Sequence, residues 1–454
     1  MRVHRFAAVP TVAAAGAAAE PVVARTLLDG GDCARDALRE VRAPWVALVA
    51  EGSRLVEGAL ELLGQAVRLA PDALVLTGDD AVAGRMWRGA KPRLRPGPSP
   101  DLWRCRDPGF SVLAVTRQSA LAAMEPGDSL HGLFLRLSGP DGASHAHVPQ
   151  VLCHRRSGPA RDLTALRLRV CPPQDREPAV EVIVCLRDRP ELLERCAGSL
   201  LTTTAYERLA LRLVDNDTGD AETLALLDRL GRDPRVTIDR DSRPFSFSAL
   251  NNAAAARSNA DVLVFLNNDT EVVEPGWVED LLGEAARAEV GAVSPLLTYP
   301  DGLVQHAGVA IGLHGWAGHP FAGLKPDEQT PFGSAAGGTR NWMAVSAACM
   351  MVEKRKFDEV GGFDESFAVG GGDVDLCLRL TAAGYRSLCV PRVRVIHDES
   401  ATRDPSRVPA GDFEASRRSY GEFRTVGDPF YHPALTLRDT SCRLRAPDEQ
   451  PPPP

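Results

Sequence analysis

Three short polar segments carry residue types able to do chemistry at neutral pH. The first, Asn267-Asn268-Asp269-Thr270-Glu271, follows the apolar run DVLVFL at 261–266. A hard divalent cation needs oxygen ligands, and one or two carboxylates suffice for Mg²⁺ or Mn²⁺ when a diphosphate completes the shell. Asp269 is the best-suited ligand, although Asn, Asp and Thr equally favour a plain turn or cap. The second is GGFDESFAVGGGDVDLCLRLTAAGYR (361–386), where a glycine-rich turn leads into Asp373 and Asp375 at the start of an amphipathic helix. The helix dipole keeps carboxylates there ionised and able to accept a proton. Two positions apart, they point to different sides, so one can face a crevice while the other caps the helix. Two ordinary N-terminal helix carboxylates would look the same. The third is His397, closing VPRVRVI and followed by Asp398, Glu399 and Ser400, a candidate metal ligand or acid/base. Asp215 in LVDNDTGD suits a contact to a base or ribose, or an Asx-turn.

Alternating elements must position these groups. VEVIVCL (180–186), LALRLV (209–214), RVTID (235–239) and DVLVFL read as strands. Between them PELLERCAGSLL (190–201), AETLALLDRL (221–230) and SALNNAAAARS (248–258) read as helices, the first with Pro190 at a tolerated first-turn position and the last behind a serine N-cap. Such alternation specifies a mostly parallel α/β sheet covered on both faces, with its ligand crevice beyond the carboxyl ends of the strands.

The wider chain of 454 residues is 44% hydrophobic and 25% charged, enough for two or more cored domains. Its net charge of -8, with scattered basic residues, argues against a nucleic-acid groove. Ten cysteines without a CxxC pair argue against a zinc site or disulfide framework and suit reduced thiols. The start, MRVHRFAAVPTVAAAGAAAEP, has a weak signal-peptide-like pattern and reads as an Ala-rich segment. No run reaches the ~18 to 20 apolar residues needed to span a bilayer, so membrane association would be peripheral. A proline- and charge-rich stretch places a linker at 161–178, separating a domain at 1–160 from one at 179–405. An extension at 406–445 and an extended, disordered tail at 446–454 follow. APWVALVAEGSRLVEG (43–58) matches ADVLVFLNNDTEVVEP (260–275) in pattern, and VPQVLCH (148–154) echoes VPRVRVIH (390–397), which reads as a tandem pair with an eroded first member. There Gly52 falls opposite Asp269 and Ala50 opposite Asn267, so the first copy should hold no metal diphosphate.

No GxGxxG follows the first strand, and neither a P-loop nor a GxSxG elbow occurs. The ordered set DRPELLERC, VDNDTGD, FSALNNAAAA, FLNNDTEV, GGFDESF, GGDVDLCLRL, GYR and HDES instead resembles family 2 glycosyltransferases of GT-A fold, particularly the bacterial O-antigen and surface-polysaccharide type. The resemblance covers residues 180–403 and implies an inverting, metal-dependent hexosyl or deoxyhexosyl transfer. The donor would be a UDP-, dTDP- or GDP-linked sugar and the acceptor a glycan or lipid-linked glycan. It further implies that Asp215, Asn252, Asn267, Asn268 and Asp269 bind the donor, that Asp269 and His397 hold Mn²⁺ or Mg²⁺, and that Asp373 is the base. Three departures stand out: Asn267 for the first carboxylate of the DxD element, Gly372 for an acid before the base, and CLRDRP for the commoner PTYNRP. PDGLVQHAGVAIGLHGWAGHP (300–320) also looks like that group, with His306 and Trp316 as acceptor contacts. The expected location is cytoplasmic, with the inner membrane face as a peripheral site. A non-catalytic sugar-nucleotide binding module and a sugar nucleotidyltransferase are the competing readings.

Overall fold

The computed structural model describes residues 22–26, 31–83, 90–125, 128–156, 177–398 and 408–449. The Ala-rich start, most of the expected linker, Glu399 and Ser400 lie outside the described residues.

Two sheets organise the chain. Strands β1 (Val22–Thr26), β2 (Trp45–Val49), β3 (Ser53–Leu55), β4 (Val75–Ala83), β5 (Lys91–Arg93), β6 (Val112–Thr116) and β7 (His145–Arg156) form the first. Its order is β1-β2-β6-β4-β7-β3, with β5 on β4. Helices α1 (Gly31–Glu40), α2 (Ala59–Leu69), α3 (Pro100–Cys105), α4 (Arg117–Ala123) and α5 (Leu130–Ser138) accompany it.

The second sheet begins with β8 (Val180–Leu186), α6 (Pro190–Thr203), β9 (Leu209–Asp215), α7 (Ala221–Leu230), β10 (Val236–Arg240), α8 (Phe247–Arg257) and β11 (Val262–Asn267). It continues through β12 (Thr270–Val272), α9 (Trp277–Ala285), β13 (Val290–Thr298) and β14 (Val304–His306), then a ribbon of β15 (Ala310–Ile311) and β16 (Ala317–Gly318). It ends with β17 (Arg340–Trp342), β18 (Cys349–Glu353), α10 (Lys354–Glu359), α11 (Gly372–Ala382) and β19 (Arg386–His397); helices α12 (Ala410–Tyr420) and α13 (Phe423–Val426) lie beyond it. The order is β10-β9-β8-β11-β18-β13-β19-β12. Strands β10, β9, β8 and β11 are mutually parallel and β13 is parallel to β19, while β18 and β12 run against their neighbours. This is the mostly parallel, helix-flanked sheet expected for this stretch.

Local chemistry explains the elements. Pro190 opens α6, the Asp220 carboxylate accepts from Thr223 N at 2.8 Å to cap α7, and the Ser246 hydroxyl accepts from Ala249 N at 3.2 Å to cap α8. In β11, Val262, Val264 and Leu266 enter one core cluster while Leu263 and Phe265 enter the other. Burial on both faces requires the continuous apolar run seen in the sequence.

The first sheet repeats part of the second in topology. Strand for strand, β1-β2-β6-β4-β7-β3 shows the same succession of parallel and antiparallel neighbours as β8-β11-β18-β13-β19-β12. Both parallel pairs shift register just after Gly78 and Pro295, opposite Val148-Pro149 and Val390-Pro391. A proline has no N–H to donate, so the ladder must skip it. Strands β9 and β10 have no counterpart among the described residues of the first sheet.

The sheets are joined by buried charge. Asp101 of α3 is 3% exposed; its carboxylate accepts from Asn341 Nδ2 at 2.7 Å and lies 2.6 Å from Arg287 Nη2 and 3.2 Å from Arg386 Nε. A second tie comes from the C-terminal extension, where His432 Nε2 donates to Asp79 Oδ2 at 2.8 Å. The tail is ordered further than expected: Glu449 is 8% exposed because its carboxylate accepts from the Thr436 hydroxyl at 2.6 Å and lies 3.2 Å from Arg443 Nη2. Cys105, Cys153, Cys185, Cys196, Cys349, Cys377, Cys389 and Cys442 are free, and among the described residues no helix is long and apolar enough to cross a membrane.

Removing one member of a buried ion pair leaves the other charge desolvated and unmatched, at about 3–5 kcal/mol. Asp101→Ala should therefore destabilise the chain by about 3 kcal/mol in denaturant unfolding, since buried Arg386 and half-buried Arg287 lose the one buried carboxylate they share; a loss under ~1 kcal/mol would show that the junction is not held by this carboxylate.

Candidate active site

A cavity of about 780 Å³ opens beyond the carboxyl ends of β8 and β11, where the polar residues following those strands converge. Its walls include Asn216, Asn267, Asp269, His319, Asp373 and His397. The turn after β8 contributes Arg187 and Arg189. Asp188 and Arg189 there adopt left-handed φ values of 52° and 61°, which cost roughly 1–2 kcal/mol each in a residue with a Cβ. Asp188 offsets this: its Oδ1 accepts from Gly219 N at 2.9 Å and Asp220 N at 3.0 Å, fastening the turn to the start of α7.

Asp269 and His397 meet because β12 pairs with β19 in a register that sets Thr270 opposite His397. The Asp398 amide donates to Asp269 O at 2.9 Å and extends that ladder by one bond. His397 Nε2 lies 3.2 Å from Asp269 Oδ1, and both side chains are 6% exposed. The polarity of this contact follows from the other ring nitrogen. His397 Nδ1 donates to Gln305 Oε1 at 3.3 Å, so in the neutral ring Nε2 carries the lone pair, with Asn267 Nδ2 at 3.4 Å from it. Asp269 Oδ1 is buried without a hydrogen-bond partner. A carboxylate oxygen and an imidazole lone pair thus face each other across a gap that a divalent cation would satisfy, and O and N donors suit Mn²⁺ or Mg²⁺.

A second Asp/His cluster has the opposite polarity. Asp79 and His147 of the first sheet and His432 of the C-terminal extension bring their ligand atoms within 4.8 Å of one another, away from the cavity. Here Ala434 N donates to His432 Nδ1 at 3.0 Å, so Nε2 bears the proton given to Asp79. Arg95 N supplies Asp79 Oδ1 at 2.8 Å. With Nδ1 accepting and Nε2 donating, His432 ties the C-terminal extension to Asp79, while His147 Nε2 lies 3.2 Å from Asp79 Oδ1 without a hydrogen-bond partner.

Asp373 is partly exposed on the cavity wall at the start of α11, with Oδ2 accepting from Ala347 N at 3.2 Å. Asp375, two residues on, is 6% exposed and bound to Arg379 and to Ser419 Oγ, which donates at 2.6 Å. Spacing therefore separates the pair into one cavity-facing and one structural carboxylate. Gly372 has a packing reason: an added Cβ would lie 3.1 Å from Ser248 Oγ and 3.3 Å from Phe367 Cβ. Burial pushes the cavity-lining Cys185 thiol up to about 12, so it stays protonated at neutral pH.

Several expected residues sit elsewhere. Asp215 is 3% exposed with Oδ1 accepting from Thr218 N at 3.0 Å, so it closes an Asx-turn, and its neighbour Asn216 lines the cavity. Asn252 is not a lining residue; it clamps the GGFDE turn, donating to Phe363 O and accepting from Phe363 N, both at 2.9 Å. His306 is fully buried, bonded to Ser294 Oγ at 2.9 Å and His319 Nδ1 at 3.0 Å, and desolvation holds its pKa well below the usual imidazole range. Trp316 packs against Phe413 with ring centroids 5.0 Å apart rather than lining the cavity. The polar side chains that do line it from this segment are Gln305 and His319, beside Val309, Ala317 and Gly318. The alternation of β14 was the available signal, since Gln305 must face opposite to Val304 and His306. Phe245, 46% exposed at the cavity, gave none, because one exposed apolar residue is unremarkable in sequence.

Residues 181–342 match the model of glycosyl transferase family 2. The O-antigen biosynthesis protein RfbC of Myxococcus xanthus is 36% identical over 459 residues, which cover 91% of this chain and 36% of RfbC. An N-acetylglucosaminyl-diphospho-decaprenol L-rhamnosyltransferase of Mycobacterium tuberculosis is 29% identical over 245 residues, 47% of this chain and 75% of that protein. Among solved structures, GalNAc-T7 with UDP, GalNAc and Mn²⁺ aligns at 18% identity and a TM-score of 0.44, over 58% of this chain and 53% of its own. The chain spans 36% of the length of RfbC and 31% of the protein y4gI of Sinorhizobium fredii, about a third in each case.

Gln305 fixes the tautomer of His397, and partners that do so are typically worth 10–100-fold in metal affinity. Gln305→Leu should weaken Mn²⁺ binding by about that factor in electron paramagnetic resonance titrations run with nucleoside diphosphate present. Unchanged affinity would mean that His397 is not a ligand.

Proposed function

Because residues 181–342 form a family 2 glycosyltransferase domain, we propose that the chain is a metal-dependent, inverting glycosyltransferase of GT-A type. It would transfer a sugar from a nucleotide-sugar donor to a hydroxyl of a glycan or lipid-linked acceptor in cell-surface polysaccharide synthesis. The observation that carries this reading is the unpartnered Asp269 Oδ1 facing the His397 lone pair in the same cavity as a partly exposed Asp373. Asp269 and His397 would hold the cation, whose chemistry is to offset the negative charge that builds on the departing diphosphate. Asn216, Asn267 and Asn268, with Arg187 and Arg189, line the same cavity and would contact the donor. Asp373 would take the proton from the acceptor hydroxyl as its oxygen bonds to the anomeric carbon. The bond from that carbon to the phosphate oxygen breaks on the opposite face, which inverts the centre and releases the nucleoside diphosphate. Work on nucleotide sugars and a lipid-linked or glycan acceptor would place the protein in the cytoplasm, at the inner membrane face.

We further propose that the first sheet is a degenerate, non-catalytic copy of the second. Supporting this, Ser53 and Thr270 occupy the same ladder position, so Gly52 stands where Asp269 stands and Arg155 where His397 stands. A guanidinium takes the place of a ligand, and the strands β9 and β10 that flank the donor side lack counterparts among the described residues.

Positioned proton transfer contributes roughly 10²–10⁴-fold to rate. Against a panel of UDP-, GDP- and dTDP-sugars with Mn²⁺, Asp373→Asn should keep nucleotide affinity while turnover falls about 1,000-fold. Calorimetry of the same samples should count a single nucleotide site per chain, and two sites would contradict the reading of the first sheet. Nucleotide binding without turnover by the wild type would indicate a binding module, and pyrophosphate release from sugar phosphate and nucleoside triphosphate a nucleotidyltransferase.

A further inference from the structure

The glycine loop that delivers Asp373 is held from outside the sheet. The backbone amides of Ala368, Val369 and Gly370 all donate to the carboxylate of Asp412, at 2.9, 2.8 and 2.8 Å. Asp412 is 1% exposed and sits in the first turn of α12, beyond the family-matched residues 181–342. From the other side Ala368 O accepts from Phe247 N at 2.7 Å, which ties the loop to the start of α8. Hydrogen bonds to a charged acceptor are roughly twice as strong as neutral ones, and three on one buried carboxylate leave these amides a single arrangement.

The rest of α12 follows the same loop. Gly371 has φ 92° and packs so closely that an added Cβ would lie 3.0 Å from Ser416 Oγ and 3.1 Å from Tyr420 Oη. Ser419 Oγ donates to Asp375 Oδ1 at 2.6 Å, while Val408 and Tyr420 line the cavity. The helix therefore contacts the residues on both sides of Asp373 and forms part of the wall that Asp373 faces.

We infer that Asp412 is a positioning residue for the transfer reaction: its carboxylate fixes the loop at 368–372 and with it the aim of Asp373 into the cavity. This rests on the reading of Asp373 as the base. Without the carboxylate, three amides lose their acceptor and the turn before α11 gains freedom, which spreads Asp373 over orientations of which few are productive. Misplacement of a reacting group by about 1 Å can cost 100-fold in rate.

The test uses the full chain as wild type, Asp412→Asn and Asp412→Glu. Asn keeps the size but turns an NH₂ donor toward amide donors, whereas Glu keeps the charge. In hydrogen exchange, the amides of 368–370 should be protected in the wild type and exchange at least about tenfold faster in Asp412→Asn, as expected when a charge-assisted bond is lost. Mn²⁺-dependent binding of UDP, GDP or dTDP should stay within about twofold, while kcat on the accepted sugar nucleotide falls about 100-fold at little-changed donor KM, and Asp412→Glu recovers part of the rate. Fast exchange at 368–370 in the wild type, or kcat unchanged in a folded Asp412→Asn, would overturn the assignment. Should Asp373→Asn retain full turnover, it is the base assignment that fails, and the exchange data still decide whether Asp412 holds the loop.

Discussion

Asp269 Oδ1 and His397 Nε2 present lone pairs to each other at 3.2 Å in a nearly closed wall, and the surrounding sheet exists in the form needed to keep them there. Pairing of Thr270 with His397 sets the separation, the Asp398 amide extends the ladder past it, and Gln305 removes the alternative tautomer by accepting from Nδ1. In a low-dielectric interior a positive charge placed between these two atoms, a cation or a proton, makes the contact attractive. The Asp79 cluster arranges the same residue types differently. There the His432 Nε2 proton points at the carboxylate while Nδ1 accepts from Ala434 N, so both ring nitrogens of that histidine are engaged. Hydrogen-bond polarity, rather than residue composition, separates a candidate metal centre from a junction.

The junction matters because it ties the first sheet to the sheet that bears the cavity. The segment at 91–105 leaves the first sheet through β5 and α3 and enters the second, with Leu94 N donating to Pro331 O at 2.7 Å and Asp101 seated among Arg287, Arg386 and Asn341. The C-terminal extension crosses the other way, through His432 to Asp79, after its α12 has packed on the glycine loop. One chain thus braces the far end of β13 and β19 with one sheet and the cavity wall with a trailing helix. Such bracing suits a site whose base sits on a loop, since a loop has no ladder of its own to hold it.

Much of this was legible in the residues. The strands β8, β9 and β11 and the helices α6, α7 and α8 were readable to within a residue or two, because a fully buried parallel sheet needs continuous apolar runs and its helices carry their own caps. The split between Asp373 and Asp375 followed from helical geometry alone. Asp215 and Asn252 were harder: an Asx-turn and a ligand contact call for the same side chains, and only the hydrogen-bond partners tell them apart. His306 and Trp316 stood out by type, yet chain direction turns His306 inward and α12 covers Trp316, while Gln305 and His319 face the cavity. Asp412 had no local signature, since its role depends on amides more than 40 positions away in sequence.

The measurement that bears most directly on this account is anomalous diffraction at the manganese edge from crystals of the full chain grown with Mn²⁺ and a nucleoside diphosphate. The account predicts one strong peak between Asp269 and His397, within about 2.2 Å of both ligand atoms, as first-row metal bonds to O and N require. A peak at Asp79 and His432, or density for nucleotide with no metal beside Asp269, would contradict it.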